Sequence, residues 1–196
     1  RDVFQECYIF LKILVRRYPK AQEVMFKHIH LFSDHVGIEA LNVTDTISEI
    51  LSNNLRLCSQ IDQRFVLKFV DAIKTWGRRR RWLNFFCSFL IIDNQPVKKN
   101  QDLLLHILLD EEVLDLDCDY RNPGLLAVSD ARNKLTRFDL MLTEDHKLPV
   151  YSLLQYHVTS IHLLASTCTG KHPDNQSKVA GVCCLDSILA AILDSD

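Results

Sequence analysis

The chain has 196 residues, 47% hydrophobic and 24% charged, with 5 Gly, 5 Pro and a net charge of -2 at pH 7. A chain of that length can bury roughly 70% of its unfolded surface without a disulfide or metal staple, and the composition excludes a low-complexity or collagen-like protein. The charge excludes a general attraction to nucleic acid or to an anionic membrane, so any basic site has to be local.

The elements follow in order. From Val3 to Tyr18, apolar residues at Val3, Cys7, Phe10, Leu11, Leu14 and Val15 keep helical spacing until Pro19 forbids continuation. A second helix is expected from about Lys20 to Phe32, with Val24, Ile29 and Leu31 on its apolar side, and Gly37 ends the polar link behind it. Thr44 is a candidate cap for a third helix that turns Ile47, Ile50, Leu51 and Leu55 inward.

The middle of the chain carries the strongest pattern. Asp62 is a good N-cap, and Phe65, Val66, Phe69, Val70, Ile73 and Trp76 recur at three and four before Gly77 supplies a stop. Trp82, Phe85, Phe86, Phe89 and Leu90 repeat that spacing, Asp93 to Pro96 break it, and Val97, Leu104, Ile107 and Leu108 open a further helix. Short turns between these helices require antiparallel packing.

From about Asp110 to Asn133 no period holds, which predicts a surface loop. A helix is expected from about Leu135 to Leu142, then a long one with Leu154, Val158, Ile161, Ala165 and Cys168 inward and Gly170 at its end. A last pair is placed near Pro173 to Val182 and Leu185 to Leu193. The fold class is therefore all-α, and successive antiparallel pairs suggest an armadillo-like or HEAT-like right-handed superhelix over residues 1–196 as one domain. No clean repeat of about 40 residues is present, so helix pairing carries that expectation.

Seven cysteines show no CxxC spacing and sit mostly on apolar faces, which reads as reduced core thiols in a cytosolic protein. No signal peptide or membrane-length apolar run is seen, so the chain is expected to be soluble, a piece excised from a longer polypeptide or the soluble part of a membrane protein.

Candidate sites are few. Arg78, Arg79, Arg80 and Arg81, between Trp76 and Trp82, could form an anion patch, because arginine offers bidentate donors and the indoles could stack. Four consecutive helical positions fan around about 300°, however, so a solvated first turn with both indoles in the core is the plainer reading. Asp115, Asp117 and Asp119 resemble the opening of an EF-hand, but Tyr120 and Leu126 stand where that loop needs Gly and Glu. His28, His30 and His35 cluster, but neighbours at i and i+2 point to different helix faces and do not chelate together, His157 and His162 five apart are no better placed, and no Cys or Ser has the setting of a nucleophile. The residues suggest no metal, no cofactor and no enzyme.

Five stretches resemble a known family. KHIHLF (Lys27 to Phe32), NNLRLCSQID (Asn53 to Asp62), FVDAIKTWGR (Phe69 to Arg78), KKNQDLLL (Lys98 to Leu105) and YHVTSIHLLASTCTGK (Tyr156 to Lys171) fall in the order of the homology domain shared by inositol trisphosphate receptors and ryanodine receptors. The match is more similar to the inositol trisphosphate receptor and leaves Asp110 to Leu148 poorly covered. Such receptors carry the domain twice, first as the helical half of the ligand-binding core and again in the regulatory solenoid. The first copy has a Tyr-Arg-Lys triplet for ligand phosphates; here those positions are Tyr18, Pro19 and Lys20, so the arginine is missing. The resemblance thus implies the second copy, a regulatory cytosolic segment of a tetrameric calcium-release channel on the endoplasmic reticulum. Its partners would be other domains and subunits of that channel, on which inositol trisphosphate and calcium act. The runner-up is the ligand-binding copy, with Tyr18 and Lys20 as its residues; a generic armadillo protein-interaction module is the rival class.

Overall fold

The computed structural model describes residues 2–38, 41–114 and 149–183. Helices α1 (Asp2–Val15), α2 (Pro19–Phe26), α3 (Ile29–Asp34), α4 (Val43–Leu51), α5 (Leu55–Cys58), α6 (Gln63–Trp76) and α7 (Arg80–Cys87) lead to a two-stranded hairpin, β1 (Ile91–Ile92) and β2 (Gln95–Pro96). Then come α8 (Lys98–Asp110), α9 (Pro149–Thr167) and α10 (Pro173–Val182). Among the described residues the fold is all-α apart from that hairpin, which stands where the helical spacing breaks. Its cause is local: Asp93 (φ 49°) and Asn94 (φ 61°) take the left-handed conformation that a two-residue turn demands, pairing Ile91 with Pro96 and Ile92 with Gln95.

The core centres on α6 and α7. Asp62 caps α6, its Oδ1 accepting the Phe65 N–H at 2.9 Å. The expected inward residues Phe65, Val66, Phe69, Val70 and Ile73 are all buried, as are Trp82, Phe85, Phe86, Phe89 and Leu90. The rings of Phe69 and Phe85 stack at 4.2 Å between centroids, and Phe65, Trp82, Phe86 and Phe89 surround them. Aromatic pairs of this kind add to the burial of large side chains, so this cluster contributes strongly to cohesion. Helix α9 then lies along α7 and α8, and α1 and α2 lie on α4.

Two buried amides lash neighbouring elements together. Gln22 donates to the Glu49 and Ser52 carbonyls and accepts from Asn54, tying α2 to the end of α4. Asn100 donates to Cys58 O and Phe89 O. Exposed ion pairs add connections between other neighbours at the surface: Lys12 with Asp45, Arg56 with Glu23, Lys68 with Asp34, and Lys74 with Glu111. Each contributes about 0–1 kcal/mol, so they fix register more than stability.

Several expectations are corrected. The second helix divides, because the chain turns at Lys27 and His28 and the apolar phase restarts; Ile29 and Phe32 point in while Val24 and Leu31 are exposed. The cap of α4 is Asn42 in the left-handed region rather than Thr44, and Leu55 begins the short α5 with its side chain exposed. In α9 the buried face is Tyr156, Ser160, Leu163, Leu164 and Thr167, whereas Ile161 and Ala165 face out. The expected helices at 135–142 and 185–193, the triad Asp115, Asp117, Asp119, and Cys118 and Cys184 lie outside the described residues, as does all but the first part of the expected loop at 110–133.

Candidate functional site

The ligand candidates do not converge. Tyr18 is the residue before α2, extended and half-exposed, and its side chain makes no capping bond; Pro19 occupies the first helical position and Lys20 is exposed beside it. Arg16 reaches Glu49 at 3.8 Å. The arginine run is likewise spread: Arg78 and Arg79 precede α7, Arg80 and Arg81 lie in its first turn, and Arg79 and Arg81 are half-buried. The guanidinium of Arg81 lies 4.5 Å from the Trp82 ring centroid, a cation–π contact within its own helix. Trp82 is in the core as expected. Trp76 is not: it is 52% exposed, because the end of α6 carries it over the backbone of Gly37.

The histidines serve the fold. His35 Nδ1 lies 2.5 Å from the Tyr8 hydroxyl, whose own ionisation is pushed up by burial, and His30 Nε2 lies 3.9 Å from Asp62. His157 is buried, whereas exposed His162 meets the Cys87 thiol at 3.7 Å. Among the described residues, no group of three or more His, Cys, Asp and Glu is placed to hold a metal ion. No helix among them is long and apolar enough to cross a membrane.

The feature that calls for an explanation is α1. Its inner side, Tyr8 and Val15 with Leu11 partly buried, packs on α4 and α3, where the Tyr8 ring meets Phe32 edge-on. The residues expected to form its core face mostly do not: Val3 is 73% exposed, Phe10 63% and Leu14 41%, and Cys7 is exposed with them. At 100° per residue these four fall within about 60° of one another, a straight seam along the helix. Phe4 and Ile13 flank the seam, at 65% and 66% exposure. Val3, Glu6, Cys7, Phe10 and Leu11 line an open surface along it, and among these described residues Glu6 is the one charged group.

Sequence periodicity found this seam but assigned it inward. The sign that it faces out is that α1 is apolar on more than one side, with Ile9 and Ile13 opposite Leu11. A helix of that kind is covered on more than one side when fully packed.

One comparison bears on these residues. The family model described as "RYDR_ITPR: RIH domain" matches residues 1–117, more than half of the chain and the whole span from α1 through α8.

Proposed function

The chain belongs to the RIH-domain family, and from that membership we propose that it is a regulatory helical segment of an inositol trisphosphate-gated calcium-release channel, most similar to the second copy of the domain. In this reading it lies at the cytosolic face of the endoplasmic reticulum as part of a tetramer, with no catalytic role. It forms one stretch of an armadillo-like superhelix and passes the movement caused by ligand binding elsewhere toward the pore.

The observation that carries this reading is the outer face of α1. A contiguous row of large apolar side chains is costly to leave in water and marks a contact surface. The row has the straight seam of helix-on-helix packing, so it suits burial against another helical layer of the channel. Stacked helices with alternate packings transmit displacement as semi-rigid bodies, and a ligand shifts their populations by its differential affinity.

The test is Phe10→Asp in the full-length channel. The expected result is unchanged inositol trisphosphate binding, a displaced ligand-concentration curve for calcium release, and unchanged melting of the 196-residue chain by itself. Release curves that superimpose on those of the unaltered channel would overturn the reading.

A further inference from the structure

Two bends of the chain face each other across a cleft. One is the turn at Lys27 and His28 between α2 and α3, and the other is the link from Ser59 to Asp62 between α5 and α6. The cleft has a volume of about 270 Å³ and an apolar floor of Phe26, Ile29, Ile61 and Phe65, of which the last three are buried. Its rim is polar: Lys27, His30 and Gln60 are exposed and Asp62 is half-buried. An apolar floor under a few polar groups is the general form of a recognition site.

The charge around this rim is unbalanced. Carboxylates that reach across these elements are each matched, Glu23 by Arg56 and Asp34 by Lys68. Asp62 is engaged from three directions, by the Phe65 N–H on Oδ1 and, on Oδ2, by Arg64 and by His30 at 3.9 Å. Among the described residues the Lys27 ammonium has no partner. The Lys99 ammonium donates to Ser59 O at 2.8 Å, which sets a second positive charge beside Gln60 without neutralising it.

Size narrows the occupant. Small-molecule sites run to about 300–1,000 Å³ and enclose most of the ligand, whereas this cleft is smaller and has exposed residues on both bends, which suits one large side chain of a peptide passing over it. The rings of Phe26 and Phe65 in the floor favour an aromatic one.

We propose that the cleft docks an acidic peptide segment, which seats one Phe side chain on the floor and lays its carboxylates against Lys27 and Lys99. The buried ring is the anchor and the two cations select the sign of the flanking charge. The site uses none of the residues of the α1 seam and does not depend on the channel reading.

The probe is the peptide acetyl-Asp-Glu-Phe-Glu-Asp-amide, titrated into the isotope-labelled 196-residue chain and followed by amide chemical shifts. Saturable shifts should appear at sub-millimolar peptide and centre on Lys27, Ile29, His30, Gln60 and Ile61. Replacing the peptide's Phe by Ala, or its acids by Lys, should weaken binding at least about 10-fold. Lys27→Glu in the protein should weaken it at least about 5-fold and leave the melting temperature unchanged, because that side chain is exposed and unpartnered. Lys27→Gln should give a smaller loss, Lys27→Arg should retain binding, and Arg78→Glu, beyond the far end of α6, should not alter it. No saturable shift at millimolar peptide, equal binding of either altered peptide, or equal losses on Lys27→Glu and Arg78→Glu would overturn the proposal. So would phenylacetate that saturates the same amides as tightly as the peptide, which would make the cleft a small-molecule site. None of these readings involves calcium release, so failure here and failure of the channel reading are told apart.

Discussion

The indole of Trp76 lies on the backbone of Gly37, so close that a Cβ built at Gly37 would stand 2.3 Å from Trp76 Nε1. Gly37 also has φ 101°, a conformation that side chains rarely adopt. Gly77, which ends α6, has φ 90° and ψ 168° but nothing within 4 Å of its Cβ position. Each Gly→Ala change therefore carries backbone strain of about 1–3 kcal/mol, while Gly37→Ala adds a clash with a bulky ring. Urea melts should rank Gly37→Ala as the more destabilising, and Trp76→Ala should recover part of the loss, a coupling that a double-mutant cycle reads directly. Single Arg78→Ala or Arg80→Ala changes at exposed positions should stay within about 0.5 kcal/mol.

Truncating Phe69 or Phe85 removes half of a stacked pair at the centre of the core, where both rings are almost fully buried. Each change to Ala should cost about 3–5 kcal/mol in denaturant melts, from lost transfer energy and the cavity left behind. Because the rings touch, the double substitution should cost less than the sum.

The buried rings of this aromatic centre were legible in the sequence because aromatic residues at three and four along two successive helices bury their area against one another, although the same spacing placed Trp76 inward and it is exposed. The inward face of α9 was not. Ser160 and Thr167 are buried, and their hydroxyls bond Tyr156 O and Leu164 O one turn back, so the core accepts them and hydropathy points instead to Ile161 and Ala165. The outer seam of α1 was seen and placed on the wrong side, since periodicity finds an apolar stripe without saying which neighbour covers it. The Gly37–Trp76 seat and the His172–Asp102 contact join residues 39 and 70 positions apart, and nothing local announces such pairs.

Two carboxylates give the fold an acid sensitivity. Burial pushes Asp62 up, but the Phe65 N–H, Arg64 and His30 outweigh it and hold the group below the usual range. Asp34 is held low chiefly by its hydrogen bond from Lys68. A carboxyl depressed in the folded state contributes stability that is fully present above the unfolded value, about 4, and lost as pH falls through the folded value. Melts should therefore weaken below about pH 4. Asp62→Ala should cost about 1 kcal/mol at pH 7, through loss of the α6 cap, and progressively less as acid protonates the unaltered protein.

The thiols divide by burial. Cys7 is exposed on the α1 seam, whereas burial pushes Cys58 up to about 12 and Cys87 up to about 11, with the Cys58 thiol donating to Leu51 O at 3.3 Å. Thiolate is the reactive form, so alkylation of the folded protein followed by peptide mapping should label Cys7 rapidly and spare Cys58 and Cys87 until denaturant is added. Equal labelling of Cys7 and Cys58 in the folded protein would place Cys7 in the core. In the full-length channel, slowed labelling of Cys7 should accompany burial of the α1 seam.

Inositol trisphosphate should not bind the 196-residue chain tightly. Three phosphates require several converging cations, because each charge must be desolvated and paired to yield net affinity. Around the start of α2 the chain offers exposed Lys20 and the Tyr18 hydroxyl, while Pro19 has neither a side-chain cation nor a backbone donor and Arg16 is turned toward Glu49. The guanidinium of Arg81, on α7 rather than α2, lies over the face of its neighbour Trp82. Attraction at low salt from Lys20 and Arg17 would be long-range and should fade as the screening length shrinks to about 8 Å at physiological ionic strength. Titration calorimetry at that salt should give no resolvable heat at micromolar ligand. Saturable micromolar binding that is lost on Lys20→Ala would show that the phosphates find a site at the α2 start, and would move the chain from the regulatory segment to the ligand-binding copy of the domain.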